Sequence, residues 1–500
     1  MLTFRTILDA LLPAALEGEV NSRVSSILRR EVTGGVVDSR LASPGKLFVA
    51  MPGENVDGHD FVSDAFKRGA QLSLVERDPA ELAGLQAMNI YIDLRGGSTL
   101  ENVLEALDSA SQIDPAIPIC IWVDNSLAAL QRIAWYWRRK LTGLRVIGIT
   151  GSVGKSTTKE VTAQLLSRRY KTARNTGNLN NEIGLPLTVL GLDEHCERAV
   201  LEMGLYVPGE IAFLCDIAQP QVGVITNIGT VHAERAGSQE AIARGKAELV
   251  QSLPAAPLGV AILNYDDDWV RGMADQTQAR VFYYGLSPKA HLWAKDIEGL
   301  GLDGIRFQLH YRRDVISMRV PMIGRHSVHT ALRAAAVGLV EGLGWQEIVD
   351  GLRSERTQLR LVTVRSECGA LILDDTYNAS PESTLAALNL LEELDGHKIA
   401  VLGDMLELGP YEQEGHEMVG VRAAEIVDEL VTVGERGRMI AQAAWRSGLS
   451  RKLINSFDDS QAAITYLTDR LGAQDVVLIK GSHAMRMDLI VTALEKPGSP

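Results

Sequence analysis

The chain has only four cysteines in 500 residues, Cys120, Cys196, Cys215 and Cys368, widely spaced and with no CxxC pair. This excludes a disulfide framework and a cysteine-based zinc site, suits a reducing compartment, and leaves each cysteine expected as a small buried hydrophobe. No apolar run reaches the roughly 18 residues of a membrane-spanning helix. The opening MLTFRTILDALLPAALEGEV is not expected to be a signal sequence, because Asp9 interrupts its apolar run and Glu17 and Glu19 follow; it reads as a short amphipathic helix. A cytoplasmic protein, neither secreted nor membrane-spanning, is the expectation. Positive charge is also short: the formal net charge is −13, with no basic face evident. A nucleic-acid partner is therefore not expected, since a phosphate backbone rewards a basic surface. Anionic small ligands would need local basic pockets. Internal repeats and low-complexity segments are missing as well.

What is present is ample core material: 46% of residues are hydrophobic, and the length suggests about three domains. Short β-rich runs alternate with helical patterns: RVIGIT, RAVLEMG, QVGVITNIG, LGVAILN, then ALILDD, KIAVLGDM, ELVTVGE and DVVLIKG. Such alternation implies an α/β protein of mostly parallel sheets covered by helices. The proline-containing stretch Ile113 to Pro118 is a plausible linker. A second junction falls near 352–360, where the helical run Val328 to Leu352 gives way to the polar SERTQLR. The expected domains are 1–116, 117–352 and 353–500.

The most informative stretch is Val146 to Glu160, VIGITGSVGKSTTKE. An apolar strand ends in a glycine-rich turn that opens a helix with Lys155-Ser156. Such a turn directs backbone N–H groups and a helix N-terminus at a phosphate, while the lysine neutralises charge and the hydroxyl ligates Mg2+. Glycines at 148, 151 and 154 fit a compact variant, T-G-x-x-G-K-[ST], so Gly151, Ser152, Val153, Gly154, Lys155, Ser156 and Thr157 form the expected ATP or GTP loop. A glycine-rich turn with a stray lysine is the bland alternative.

In such folds the ends of strands carry the chemistry. Glu202 ends AVLE, where a phosphate-loop enzyme wants an acidic group for Mg2+, although a capping or salt-bridged glutamate would look the same. Asn227, His232 and Glu234 follow another strand, and a lone histidine is more often structural. Lys246, in EAIARGKAELV, reads by default as a solvated lysine on a helix face. NTGNLNNEIGLPLTVL carries four asparagines whose amides suit either a polar ligand or the turns of the loop itself. In LILDDTYNASPES, Asp374 and Asp375 end a strand, with Tyr377, Asn378 and an N-cap at Ser380 or Ser383 after it.

These segments, together with DSRLASPGKLFVAMPGENVDGHDF, LGDMLELG and IKGSHAMRMD, resemble the Mur ligases in collinear order over nearly the whole chain. In detail they are similar to the type of that family that adds D-alanyl-D-alanine to UDP-N-acetylmuramoyl-tripeptide; the DNPR signature of the type adding the third residue is missing. The resemblance implies three domains: an N-terminal one for the UDP end of the precursor, a central phosphate-loop ATPase and a C-terminal Rossmann-like one. It implies amide synthesis through an acyl phosphate, using ATP and Mg2+, and a monomer is expected. Carried over by position, Lys155 holds the β- and γ-phosphates, Ser156 and Glu202 bind the first Mg2+, and His232 and Lys246 serve the second, with Lys246 a candidate for carbamylation. Ser39 and Arg40 match the grip on the uridine nucleotide, and Asn180 and Asn181 fall near the muramoyl-peptide. Asp375, Tyr377 and Asn378 match the ATP and amine side, and Arg360 matches a hinge arginine that reaches the nucleotide phosphates.

The chain departs from the family at several points. Val153 and Ser156 replace an asparagine and a threonine in the loop. Leu205, Tyr206 and Val207 stand where A-N-H is usual after EMG. Ser327 and Thr330 replace two asparagines, the second expected near adenine, which leaves base recognition either weaker or rebuilt through Asn264 and Asp267 of LNYDDD. Two other functions are compatible with these residues: a ligase for a variant such as D-alanyl-D-lactate, and a non-catalytic paralogue that binds nucleotide or precursor. The retention of Lys155, Ser156, Glu202, His232 and Lys246 counts against the latter.

Overall fold

The computed structural model describes all residues except 13–21, 54–55, 83–89, 98–99, 114–116, 231–232, 355–361 and 496–500. The described chain forms two compact units. The first comprises Met1–Gly148, Tyr170–Gly204 and Ala212–Pro220, and the second Ile149–Arg169, Leu205–Ile211 and Gln221–Pro500.

In the first unit the helix Phe4–Leu11 realises the expected amphipathic segment, with Thr3 as its N-cap and Phe4, Ile7 and Leu8 buried. A five-stranded sheet follows, in the order β1-β2-β3-β5-β4, built from β1 (Gly34–Val36), β2 (Lys46–Val49), β3 (Leu72–Val75), β4 (Ile90–Asp93) and β5 (Ile119–Trp122). All its pairings are parallel, which requires cover on both faces and fits the burial of Leu47–Val49 and of all of β3. His59 is fixed beside this sheet: its Nε2 accepts from the Glu76 N–H, so Nδ1 carries the proton donated to Asp57 at 2.6 Å.

The second sheet has nine strands: β6 (Arg145–Thr150), β7 (Thr172–Arg174), β8 (Arg198–Glu202), β9 (Val222–Ile225), β10 (Val260–Asn264), β11 (Arg280–Gly285), β12 (Leu292–Gly299), β13 (Ile305–Tyr311) and β14 (Asp314–Val320). Their order is β14-β13-β12-β11-β10-β9-β6-β8-β7, and β6 passes from the first unit into the second. The last three strands in sequence pair antiparallel and leave alternate residues exposed, so β12–β14 form a meander with one wet face.

The third sheet lies wholly in the second unit. Its strands are β15 (Val362–Arg365), β16 (Leu371–Asp375), β17 (His397–Gly403), β18 (Glu429–Val433), β19 (Ile454–Phe457) and β20 (Asp475–Lys480), ordered β15-β16-β20-β17-β18-β19. Both faces are buried. Ala400, Leu402, Val476 and Leu478 feed one core, while Ile399, Val401, Val477 and Ile479 feed the other, the period-2 alternation of a doubly covered strand.

Among the described residues no helix is long and apolar enough to cross a membrane. All four cysteines are free, but only Cys120 and Cys215 are buried. The expectation of buried cysteines fails at Cys368, which is exposed in the turn between β15 and β16, and in part at Cys196.

Candidate functional site

The glycine-rich turn forms as its spacing predicts. β6 is buried from Val146 onwards and runs into the turn, and the helix Lys155–Leu166 starts with Gly154 as its N-cap in the left-handed region, φ +82°. Gly151 has φ +142°, and a Cβ there would lie 1.8 Å from Thr226 Oγ1. Neither position accepts a side chain without movement. The turn is held by its backbone. The Ser152 N–H donates to the Asn227 carbonyl at 2.9 Å, the Val153 N–H to Asn227 Oδ1 at 2.9 Å, and Thr226 Oγ1 donates to the Val153 carbonyl at 2.7 Å. Ser152 Oγ accepts from the Gly229 N–H at 2.8 Å. The side chain of residue 153 takes no part in this scaffold, so the valine there costs the turn nothing.

Two lysines meet at the turn. Lys155 Nζ donates to the carbonyls of Gly151 and Ser152 at 2.8 and 3.1 Å, and Lys246 Nζ donates to the same Gly151 carbonyl at 3.0 Å. Lys246 is 1% exposed, on the helix Gln239–Gln251 capped by Ser238. It is not the solvated lysine that its spacing suggests. Burial, and then the charge of Lys155, hold its amine well below the ordinary lysine range. Carbamylation by CO2 requires the deprotonated amine, and the shift is in the direction that favours that form.

Around this turn the second unit supplies further groups. Asn264 ends β10; its Nδ2 donates to the Thr226 carbonyl at 3.1 Å and its Oδ1 accepts from the Asp266 N–H, so the amide braces loops. Asp267 Oδ2 accepts from the Ile228 N–H at 2.8 Å and its Oδ1 caps the helix Asp268–Gly272. Tyr284, fully buried, donates to the carbonyls of Ile225 and Thr226. Glu382, in the first turn of the helix Pro381–Glu392, accepts from the Thr230 N–H at 3.2 Å and so ties the C-terminal part of the unit to the loop after β9. Asp375 ends β16, where buried Lys480 donates to its Oδ2 at 2.7 Å and to the Asn378 carbonyl at 2.8 Å. Tyr377 is exposed beside them, and Ser380 is the N-cap, in a capping box with Ser383. After β8, the N–H groups of Tyr206 and Val207 donate to Glu210, Leu205 is buried against Gly245, and Arg235 sits 4.6 Å over the Tyr206 ring.

In the first unit Glu202 ends β8, buried, and Oε1 accepts from Asn180 Nδ2 at 3.0 Å. The neighbouring asparagines divide the remaining work. Asn175 pins the loop to the Glu202 backbone through both amide atoms, and Asn181 Oδ1 accepts from the N–H groups of Ile183 and Gly184 at the start of the helix Gly184–Leu190. Ser39 is buried and donates to Asp64 Oδ2 at 2.9 Å. Arg40 lies on the surface against Asp38, whose carboxyl it holds down at about pH 2. His232 and Arg360 lie outside the described residues.

Sequence reasoning did not single out Thr226, Glu382, Lys480 or Arg333. The signal for Lys480 was its place as the last residue of an apolar strand. For Arg333 it was a lone charge within the apolar run ALRAAAVGL.

The donors suit Mg2+, a hard cation that takes oxygen ligands: the Ser156 hydroxyl and the buried Glu202 carboxylate are of the right kind. Among the described residues no three His, Cys, Asp or Glu side chains converge to hold a metal. A Mg2+ bound by one or two protein oxygens together with substrate phosphates requires no such cluster.

Comparison with known proteins gives one family throughout. The Mur ligase middle domain matches residues 149–338, the Mur ligase glutamate ligase domain 359–483, and the Mur ligase family catalytic domain 31–106. The UDP-N-acetylmuramoyl-tripeptide--D-alanyl-D-alanine ligase of Bacillus subtilis (strain 168) is 32% identical over 467 residues, covering 93% of each chain. Among solved structures, MurF from Acinetobacter baumannii superposes with a TM-score of 0.76 at 29% identity, covering 96% of this chain and 99% of that one. The MurF ligase of Thermotoga maritima in complex with ADP gives 0.73 at 26% identity, over 95% of this chain and 98% of that one.

Proposed function

We propose, from the premise that this chain belongs to the Mur ligase family, that it is an ATP-dependent ligase joining D-alanyl-D-alanine to UDP-N-acetylmuramoyl-tripeptide in peptidoglycan precursor synthesis. The observation that carries this reading is the phosphate turn with Lys155 and Lys246 converging on the Gly151 carbonyl. The γ-phosphoryl of ATP passes to the terminal carboxylate of the nucleotide-linked peptide, leaving ADP and an acyl phosphate. The dipeptide amine attacks the acyl carbon, loses a proton, and the tetrahedral intermediate expels phosphate to leave the amide.

Phosphoryl transfer depends chiefly on positioning and on neutralising charge. The first N–H groups of the helix Lys155–Leu166 have no intrahelical partner and cradle the phosphates, while Lys155 turns from the loop carbonyls to the β- and γ-phosphates. Mg2+, when bound, neutralises the charge that develops on the transferring oxygens. Ser156 and Glu202 would hold the first ion, and Asn180 orients the Glu202 carboxylate. By the family resemblance His232 and a carbamylated Lys246 would serve the second, and Arg360 the nucleotide phosphates. Asp375, Tyr377 and Asn378 would serve the ATP and amine side, with Lys480 fixing Asp375. Ser39 and Arg40 take the uridine nucleotide, and Asn180 and Asn181 the muramoyl-peptide. The three modules 1–116, 117–352 and 353–500 divide these tasks in a cytoplasmic monomer, each chain carrying every motif. The backbone-held turn, indifferent to Val153, supports catalysis over a degenerate binder.

The acyl phosphate has its own test. ATP, the nucleotide tripeptide and hydroxylamine, without dipeptide, should yield the hydroxamate of the precursor along with ADP. ADP formed only when dipeptide is present, with no hydroxamate, would contradict this order of steps.

A further inference from the structure

Arg333 stands beneath the phosphate turn on the helix Val328–Val340 and is 6% exposed. Its Nε donates to the His329 carbonyl at 2.9 Å, and Nη2 lies 3.4 Å from Thr330 Oγ1. Nη1 is buried and makes no hydrogen bond among the described residues. The guanidinium faces the turn: from the position a Cβ on Gly154 would take, Nη1 is 3.0 Å away and Nη2 3.4 Å. Among the described residues no carboxylate is paired with it. Burial pushes its ionisation below the ordinary arginine value, opposed by Tyr284, whose ring lies 6.0 Å away. An arginine stays protonated under such conditions.

A buried cation without a counter-ion is costly to a fold, and replacing one with an apolar group of similar size is often neutral or stabilising. Lys155 and Lys246 already crowd the same turn with amines. The charges of Lys155 and Arg333 gather around Gly151–Gly154, and a polyanion at the helix start is what would balance them.

We propose that Arg333 is a nucleotide-affinity residue of this chain, its buried charge under Gly154 serving as counter-charge for the phosphate chain bound at the start of the helix Lys155–Leu166. The inference rests on the nucleotide reading above and adds a determinant which that reading does not contain. Charge acts here over several ångströms, because the interior screens it far less than water does. The effect is selective for phosphate and leaves recognition of the base alone.

The test is calorimetric titration of the whole protein with ADP, pyrophosphate and adenosine, for the wild type, R333M, R333Q and R333K, with thermal melting of each free protein. ADP and pyrophosphate should bind R333M at least tenfold more weakly, adenosine within twofold of the wild type, and R333K should keep most of the phosphate affinity. Free R333M should melt no lower than the wild type, and R333Q carries the comparison if R333M does not fold. ADP affinity within twofold of the wild type in the neutral variant, or ADP and adenosine weakened equally, would overturn the proposal. A wild type that binds neither ADP nor pyrophosphate would instead overturn the nucleotide reading itself.

Discussion

Lysine 155 and lysine 246 share a carbonyl yet have different work, and each gives a prediction at its own position. Lys155→Ala should lose the about 2.7–4 kcal/mol typical of one preorganised electrostatic donor, about 10^2- to 10^3-fold in turnover, with the melting temperature little changed. A loss under threefold would remove the phosphate assignment from this turn. Lys246→Ala should show a similar fall that acetate or formate partly restores, since a small carboxylate can take the place of a carbamate. Full activity without any addition would leave that amine a packing residue. Gly151→Ala drives a Cβ into Thr226 Oγ1 at an unfavourable φ, so the variant should lose both stability and ADP binding; a wild-type melt with intact binding would contradict the strained turn. Residues of this kind were half legible in the sequence. The lysine of the turn is marked by its neighbours, but the burial of Lys246 comes from how its helix packs, which spacing along one helix cannot show. The side-chain oxygens of Asn264 and Asn181 accept from backbone N–H groups, a local task that composition alone does not show, because a loop must satisfy its own donors.

Uniform burial made many strands legible but not all: β2, β3 and β5 of the first sheet are as buried and went unread. The eight apolar runs read from the sequence all form strands, from RVIGIT to DVVLIKG, since parallel strands covered on both faces leave continuous apolar text. The meander β12–β14 went unread because one wet face breaks LWAKDIEG, IRFQLHY and DVISMRV into alternation, with Trp293 stacked 4.0 Å from His310 across two of its strands. The run Val328 to Leu352 proved to be two helices, Val328–Val340 and Trp345–Leu352, parted at Gly342, whose φ of +82° ends the first. Capping was readable where a serine precedes Pro381. Ser380→Ala removes the side-chain acceptor for the Ser383 N–H and should cost about 0.5–2 kcal/mol in chemical denaturation; no change would show that the cap is dispensable.

At the scale of the whole molecule the compact units are not contiguous along the chain. Met1–Gly148, Tyr170–Gly204 and Ala212–Pro220 make one unit, so Glu202 and the asparagine loop belong to it, while the phosphate turn belongs to the other, although β6 and β8 are strands of the same nine-stranded sheet. Composition and linkers mark only contiguous segments and do not show such a grouping. Nucleotide binding should stabilise the protein by about 2.7 kcal/mol at a hundred times the dissociation constant. In hydrogen exchange that protection should fall on 151–158, 226–230 and 328–333; protection confined to other segments would contradict the placement of the site. The central claim is tested most directly by phosphate release with Mg2+-ATP and UDP-N-acetylmuramoyl-tripeptide, with and without D-alanyl-D-alanine, and by the mass of the product. Sustained release that requires the dipeptide, with a product heavier by one dipeptide less water, is the predicted result. A folded protein that binds the precursor and ATP but forms no such product would contradict the account.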